Sequence, residues 1–314
     1  MVLLCGIFLI CFCIKRDNPF DPINQKYPFL GRIIFVYNDS TLINAFLEAQ
    51  NGDTIKISSG IYKASLRFNN SGSQSAPIVV MGDNLGSVIL HAPATEGILF
   101  ISNKSFIEFY NIIFDSSYSS GVKTENSCLG IKFVNCIFKN CELDGLEITD
   151  SDVLITNCQF INNKRSGIRI SGDPKLNNNV IIKNILSVYN GLEGISILSV
   201  PTVIKQATLC DNGKTGILIT TPSKDIEIKN SILAFNLESG ISGVFDPSVC
   251  NIMVDSVVIF STGTNIMLEP ATNFNYFSYD PMFTNRSAID YSITSASPLN
   301  YIETQTGSII GYRK

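Results

Sequence analysis

The sequence predicts an all-β solenoid in which short strands stack as a parallel β-helix. Three markers running in phase predict it. A Gly-aliphatic-x-aliphatic tetrad begins at Gly121, Gly145, Gly167, Gly194, Gly216 and Gly240, at intervals of 24, 22, 27, 22 and 24 residues. An interval in this range means stacked structural repeats. An Asn or a close substitute ends a short apolar run in each repeat, at Asn111, Asn135, Asn157, Asn184, Gln206, Asn230 and Asp255. A third marker follows five or six residues later, at Asn140, Asn162, Asn190, Asn212 and Asn236. One coil therefore reads strand, Asn corner, strand, Asn corner, Gly, strand. Asn tolerates the left-handed backbone of a tight corner, and its amide can bond to the coils above and below. The repeat Gly is expected to serve a corner of positive φ.

The N-terminus stands apart from the repeats. Val2 to Ile14 is an apolar run, too short to span a bilayer and of the length of a signal-peptide core. Lys15 and Arg16 follow it. The junction resembles a bacterial lipoprotein signal, in which a Cys after the apolar run is lipidated. Cys13 is the expected lipidation site, with residues 1–13 as the signal segment. That implies an exported, lipid-anchored protein of the bacterial cell envelope, with the membrane as partner through its N-terminus. An ordinary export signal or a short membrane anchor is the alternative. Residues 14–35 form a linker broken by Pro19, Pro22 and Pro28.

The β-helix with its N-terminal cap is expected over residues 36–270. In the stretch Asn38 to Gln50, Leu42, Ile43, Phe46 and Leu47 lie at helical spacing behind an Asp or Ser cap. A solenoid has an open apolar end, and this short amphipathic helix is expected to close it. Within the coils, Ile112, Cys136, Cys158, Ile185, Ala207 and Ser231 follow the corner Asn and point inward. Phe114, Phe138, Phe160, Ser187, Leu209 and Leu233 point inward two residues later, so the three Phe should stack. Between them an apolar strip faces out: Ile113, Ile137, Gln159, Leu186, Thr208 and Ile232. Residues 271–314, with Phe274, Tyr276, Phe277 and Tyr279, are expected to cover it as a closing segment. The interval arithmetic gives about eight to ten coils.

The runs Thr41-Leu-Ile-Asn-Ala-Phe, Gly52-Asp-Thr-Ile-Lys-Ile, Gly60-Ile-Tyr and Ala76-Pro-Ile-Val-Val resemble the N-terminal part of pectin-lyase-like right-handed parallel β-helix proteins. They are particularly similar to the alginate lyase and chondroitinase B group. Asp280-Pro-Met-Phe, Tyr291-Ser-Ile, Ser297-Pro-Leu and Ile309-Ile-Gly-Tyr resemble the closing segment of secreted bacterial β-helix proteins. The resemblance covers roughly residues 36–314. It implies a right-handed helix and a carbohydrate partner, and it leaves activity open, because the fold hosts lyases, hydrolases, epimerases and noncatalytic surface proteins.

The outward residue after each repeat Gly gives the candidate site. Lys123, Glu147 and Arg169 stand in one column on three successive coils, ahead of Ser196, Leu218 and Ser242. Asp144, Asp150 and Asp152 lie beside Glu147, and Lys164 and Arg165 beside Arg169. The resemblance to acidic-polysaccharide lyases implies Lys123 as base in a β-elimination and Arg169 as the clamp on the sugar carboxylate. Asp144 and Glu147 become candidate carbohydrate or Ca²⁺ ligands. The bland reading is a cross-coil salt-bridge ladder, in which Glu147 keeps Lys123 protonated. A polygalacturonase-like hydrolase would instead use Asp144, Asp150 and Asp152. A noncatalytic envelope protein is the third reading.

Composition narrows the rest. Charged residues make up 16% of 314 residues and the net charge is −4, which argues against a nucleic-acid partner. The chain has nine Cys but no CxxC pair, and its one His is His91, so a zinc site is not expected. Cys136 and Cys158 occupy the same inward position on neighbouring coils and are expected to form a buried stack of free thiols, with a disulfide as the alternative.

Overall fold

The computed structural model describes residues 31–220, 225–244, 251–261, 263–269 and 274–313. The apolar run with Cys5, Cys11 and Cys13, the linker up to residue 30, and Cys250 lie outside the described residues.

The chain winds as a parallel β-helix with three strands per coil. In a middle coil they are Ile131–Val134, Ile137–Lys139 and Leu146–Thr149. Each pairs in parallel with its counterpart on the next coil: Ile131 with Val153, Ile137 with Gln159, Leu146 with Ile168. The third strands build a nine-stranded sheet, and the first two run together around the corner as a 19-stranded one. The solenoid starts at Ile33–Val36 and its last paired strand is Phe274–Phe277.

The first corner follows the Asn marker. Asn111, Asn135, Asn157, Asn184, Gln206 and Asn230 are all left-handed, with φ between 50° and 59°. The Asn184 amide donates to Asn157 Oδ1 at 2.8 Å, tying neighbouring corners. At the last such corner the left-handed residue is Ser256, not Asp255, because Asp255 still pairs with Lys229 in the strand.

The second Asn marker separates into two columns. Asn140 and Asn162 are left-handed corner residues, and the Asn162 amide donates to Asn140 Oδ1 at 2.8 Å. On the next coils Tyr189, Asp211 and Phe235 take the left-handed position instead. Asn190, Asn212 and Asn236 fall one residue later and continue a column begun by Asn163. All four are buried, and each amide of the first three donates to the next at 2.9 Å. This internal ladder satisfies polar groups inside the core, where an unpaired amide is costly.

The repeat glycines are not positive-φ corners. Gly121, Gly145, Gly167, Gly194 and Gly216 are each pressed against the next coil. A Cβ on Gly167 would lie 2.2 Å from Ser187 Oγ and 2.8 Å from the Gly194 carbonyl oxygen. The requirement is close backbone approach rather than conformational freedom.

The inward columns are filled as the period predicts. Phe114 stacks on Phe138 at 5.0 Å, and Phe138 on Phe160 at 4.8 Å. Such pairs add about 0.5–1.5 kcal/mol each beyond burial. Cys136 and Cys158 are buried free thiols, as are Cys128, Cys141 and Cys210. Burial pushes the Cys141 thiol up to about 12.

The helix Asp39–Glu48 closes the N-terminal end. Its cap is Asn38, whose side chain accepts from Thr41 N–H at 2.9 Å while Thr41 Oγ1 accepts from Asn38 N–H. Leu42, Ala45 and Phe46 face the core, whereas Ile43 and Leu47 are partly exposed. Phe46 meets Phe68 at 4.6 Å, joining the cap to the aromatic core. No helix among the described residues is long and apolar enough to cross a membrane.

The C-terminal residues lie on the outer strip. Leu186, Ile232 and Val258 form a second apolar cluster with Tyr291, Leu299, Ile302 and Ile310. Tyr291 donates to Asp211 Oδ2 at 2.7 Å, and the Arg286 guanidinium sits 3.6 Å from the Phe235 ring centre. Of the aromatic residues expected to cover the strip, Phe277 joins this cluster. Phe274 packs on the main core, and Tyr276 and Tyr279 stay exposed.

Candidate functional site

The nine-stranded sheet carries the charged column on its outer face. Parallel pairing places Arg67 opposite Phe100, Phe100 opposite Lys123, Lys123 opposite Glu147, Glu147 opposite Arg169, and Arg169 opposite Ser196. Alternation in each strand buries Val122, Leu146 and Ile168 and turns the following residue outward. Lys123, Glu147 and Arg169 thus lie in one line at the strand spacing of about 4.8 Å.

Phe100 and Arg67 extend that line and were not legible from the glycine period. Gly97 lies 24 residues before Gly121, which by counting would turn Leu99 outward. The register pairs Leu99 with Val122 instead, so Phe100 faces out. The Arg67 guanidinium lies 4.7 Å from the Phe100 ring centre.

Lys123 is shared between two carboxylates, Glu125 at 3.2 Å and Glu147 at 3.6 Å. Desolvation lowers its pKa, but the Glu125 hydrogen bond and both carboxylate charges outweigh that and hold it above the ordinary lysine value. Glu147 also accepts from Ser120 Oγ at 2.9 Å. Among the described residues no ion pair engages Arg169.

A buried polar column runs beside the charged one, one residue before each repeat Gly: Ser120, Asp144, Ser166, Glu193, Thr215 and Ser239. Ser166 joins two acids in it. Its N–H donates to Asp144 Oδ1 at 2.9 Å and its hydroxyl to Glu193 Oε2 at 2.9 Å. Burial raises the Asp144 pKa, against the Ser166 hydrogen bond and the charges of Arg165 and Arg169. Glu193 is the acid that sequence reasoning missed. Its position before Gly194 matches that of Asp144 before Gly145, which is the signal that could have found it.

The three aspartates of the hydrolase reading are not brought together. Asp144 precedes the strand Leu146–Thr149, whereas Asp150 and Asp152 follow it. Six residues of extended chain separate Asp144 from Asp150, roughly 20 Å. Asp150 and Asp152 instead accept backbone N–H groups of Asp173 and Asn179.

The fit to Ca²⁺ is poor. The ion takes about 6–8 oxygen ligands. Among the described residues no group of three or more His, Cys, Asp or Glu could hold a metal ion. One oxygen of Asp144 accepts Ser166 N–H, and Glu147 is engaged by Ser120 and Lys123. His91 stands on another face, its Nε2 at 3.6 Å from Asp115 Oδ2.

The arrangement offers an aromatic ring and alternating charges in a straight outer line, flanked by buried carboxyls. An extended polymer carrying carboxylates can lie along it, with a ring face on Phe100 and acid groups at Lys123 and Arg169.

Comparisons with known proteins agree with the architecture. The family model described as right handed beta helix region matches residues 33–199 and again residues 120–269. That adds the handedness to the parallel coils. Among solved structures, pectate lyase Pel9A has a TM-score of 0.65 at 14% identity, over 86% of this chain and 90% of that one. The periplasmic alginate epimerase AlgG gives 0.54 at 12% identity, over 72% and 59% of the two chains. The A-module of the Azotobacter vinelandii mannuronan C-5 epimerase AlgE6 gives 0.52 at 13% identity, over 74% and 76%. At these identities the likeness is one of fold. Comparison with curated protein sequences returns no match.

Proposed function

We propose, from the premise that this chain belongs to the right-handed β-helix family, that it binds or processes an acidic polysaccharide laid across its coils. The observation that carries the reading is the in-register outer line Arg67, Phe100, Lys123, Glu147, Arg169. The resemblance of Thr41–Phe46 and Gly52–Ile57 to the alginate lyase and chondroitinase B group supports an acidic sugar.

Binding leads over cleavage. A β-elimination needs Lys123 unprotonated, and Glu125 and Glu147 favour its charged form. A sugar carboxylate arriving at Arg169 and Lys123 adds to that preference. Lys123 and Arg169 therefore act as the cations that hold the polymer, and no step depends on Ca²⁺ at Asp144 and Glu147. Export with lipid attachment at Cys13 completes the proposal.

The test uses polygalacturonate and alginate, with and without Ca²⁺, read by binding calorimetry and by ultraviolet absorbance of unsaturated sugar ends. Binding without an absorbance rise is expected. Lys123→Ala and Arg169→Ala should each weaken it by about 1.5–3 kcal/mol, the worth of a charged hydrogen bond. A rise in absorbance abolished by Lys123→Ala would replace this reading with the lyase. No binding to either polymer would leave the noncatalytic envelope protein.

A further inference from the structure

We propose that Lys183, Lys205 and Lys229 form a second track, on a different sheet, that holds the carboxylate row of an acidic polysaccharide. The identity of the ligand rests on the reading above; the site does not.

The three lysines end the strands Val180–Lys183, Thr202–Lys205 and Ile226–Lys229 and pair in register, Lys183 with Lys205 and Lys205 with Lys229. All three side chains point out of the coil. Like charges directly opposite each other on neighbouring strands are destabilising. In a chain of net charge −4, three stacked cations are not a consequence of composition.

Neutralisation inside the protein is incomplete. Glu227 is shared by two of them, at 3.3 Å from Lys205 and 2.8 Å from Lys229, and the Asp255 charge also favours the charged form of Lys229. Asp255 follows Lys229 in the column and accepts from Asn275 Nδ2 at 2.9 Å. Lys183 is exposed, and among the described residues no ion pair engages it. The column keeps an excess of positive charge at its Lys183 end.

The neighbouring outward column is apolar beside Lys183 and Lys205, and Glu227 interrupts it between Val203 and Met253. Ile181 pairs with Val203 beside the lysines, and both are half-buried. Met253 is 43% exposed further along, and a shallow cavity of about 290 Å³ lies between Val203, Glu227 and Met253. A row of ammonium groups next to an apolar strip suits a polymer with one charged edge and one CH face per unit. In an extended 1,4-linked chain neighbouring units are turned over, so one edge carries a carboxylate at every second unit; two strand spacings of about 4.8 Å each separate Lys183 from Lys229 and suit that repeat. A single-stranded nucleic acid would stack its bases on aromatic rings, and Ile181, Val203 and Met253 offer none.

The full chain is titrated with polygalacturonate and with its fully methyl-esterified form, at low and high salt. Lys183→Gln/Lys205→Gln/Lys229→Gln is compared with wild type and with Lys123→Gln/Arg169→Gln, after melting curves show all three folded. The triple variant should bind polygalacturonate about tenfold more weakly and lose part of the salt dependence. Esterified polymer should not sense the substitution. Equal binding by the triple variant and wild type at low salt overturns the track, as does wild-type binding that esterification leaves intact. Displacement by single-stranded DNA as effective as by polygalacturonate overturns its assignment to polysaccharide. If Lys123→Gln/Arg169→Gln binds normally while the triple variant does not, the first column fails and the track stands.

Discussion

Asp144 is a carboxylate whose surroundings pull in opposite directions. Burial raises its pKa, while Ser166 N–H and two arginines favour its charge. The net shift is upward, from a free value of about 3.9. Between the free and the folded values the native state binds more protons than the unfolded chain, so stability falls as pH rises through that window and stays lower above it. Asp144→Asn removes that loss and keeps an acceptor for Ser166. Its melting temperature at pH 7 should equal or exceed that of wild type, with the gap closing at and below pH 4. A lower melting temperature at pH 7 would show that the Asp144 charge is used by Arg165 or Arg169. At this scale the sequence was only partly legible. Lys123, Glu147 and Arg169 follow from alternation and period, and they do align. Glu193 escaped because the outward residues after each repeat Gly, and not the residue before it, were read as the site. Asn162 and Asn163 are adjacent and chemically identical, so counting could not tell the corner from the buried ladder.

At the scale of an element, the C-terminal segment decides whether the outer strip is core or surface. Leu186, Ile232 and Val258 are buried there only in company with Tyr291, Leu299, Ile302 and Ile310. Fully burying one such side chain is worth roughly 1.5–3 kcal/mol, and ordering the segment consumes part of it. Removal of residues 278–314 should therefore lower stability by roughly 3–6 kcal/mol and create a surface that binds an apolar dye. A truncated protein of unchanged stability without dye binding would mean that the strip tolerates water. The covering was foreseeable because outward apolar residues on stacked coils need a partner. Of the residues that supply it Phe277 was foreseeable and Tyr291, Leu299, Ile302 and Ile310 were not, because the tail lacks the period that fixes inside and outside in the coils. The repeat glycines teach a related lesson. Their spacing was visible, but their cause lies in the distance to the next coil, as at Gly167 against Gly194, which one coil's sequence does not contain.

Across the whole molecule, the core changes character along its axis. From the capping helix it is aromatic: Phe46, Phe68, Phe109, Phe133, Phe138 and Phe160 touch in sequence. The column that holds Phe160 continues with Ser187, which donates to the Gly194 carbonyl, and then with Leu209 and Leu233. Beyond Phe160 the interior is aliphatic, with Ile182, Ile204 and Ile228 among its buried residues, and the amide ladder of Asn163, Asn190, Asn212 and Asn236 runs beside it. In a solenoid each coil contacts only its neighbours, so stability is close to a sum of coil and interface terms. Aromatic pairs add about 0.5–1.5 kcal/mol on top of large buried areas, whereas a neutral hydrogen bond contributes about the same without that area. The C-terminal coils should therefore open first. Amide exchange should be fastest in Ile252–Phe260 and Phe274–Phe277, slower in the coils of the asparagine ladder, and slowest around Phe133–Phe160. The capped N-terminal coil should exchange later than the C-terminal one, because Phe46 and Phe68 extend the aromatic column to that end. Uniform protection along the axis would show that the whole solenoid opens as one unit. Earliest exchange in Ile33–Val36 would show that the helix closes the end without stabilising it.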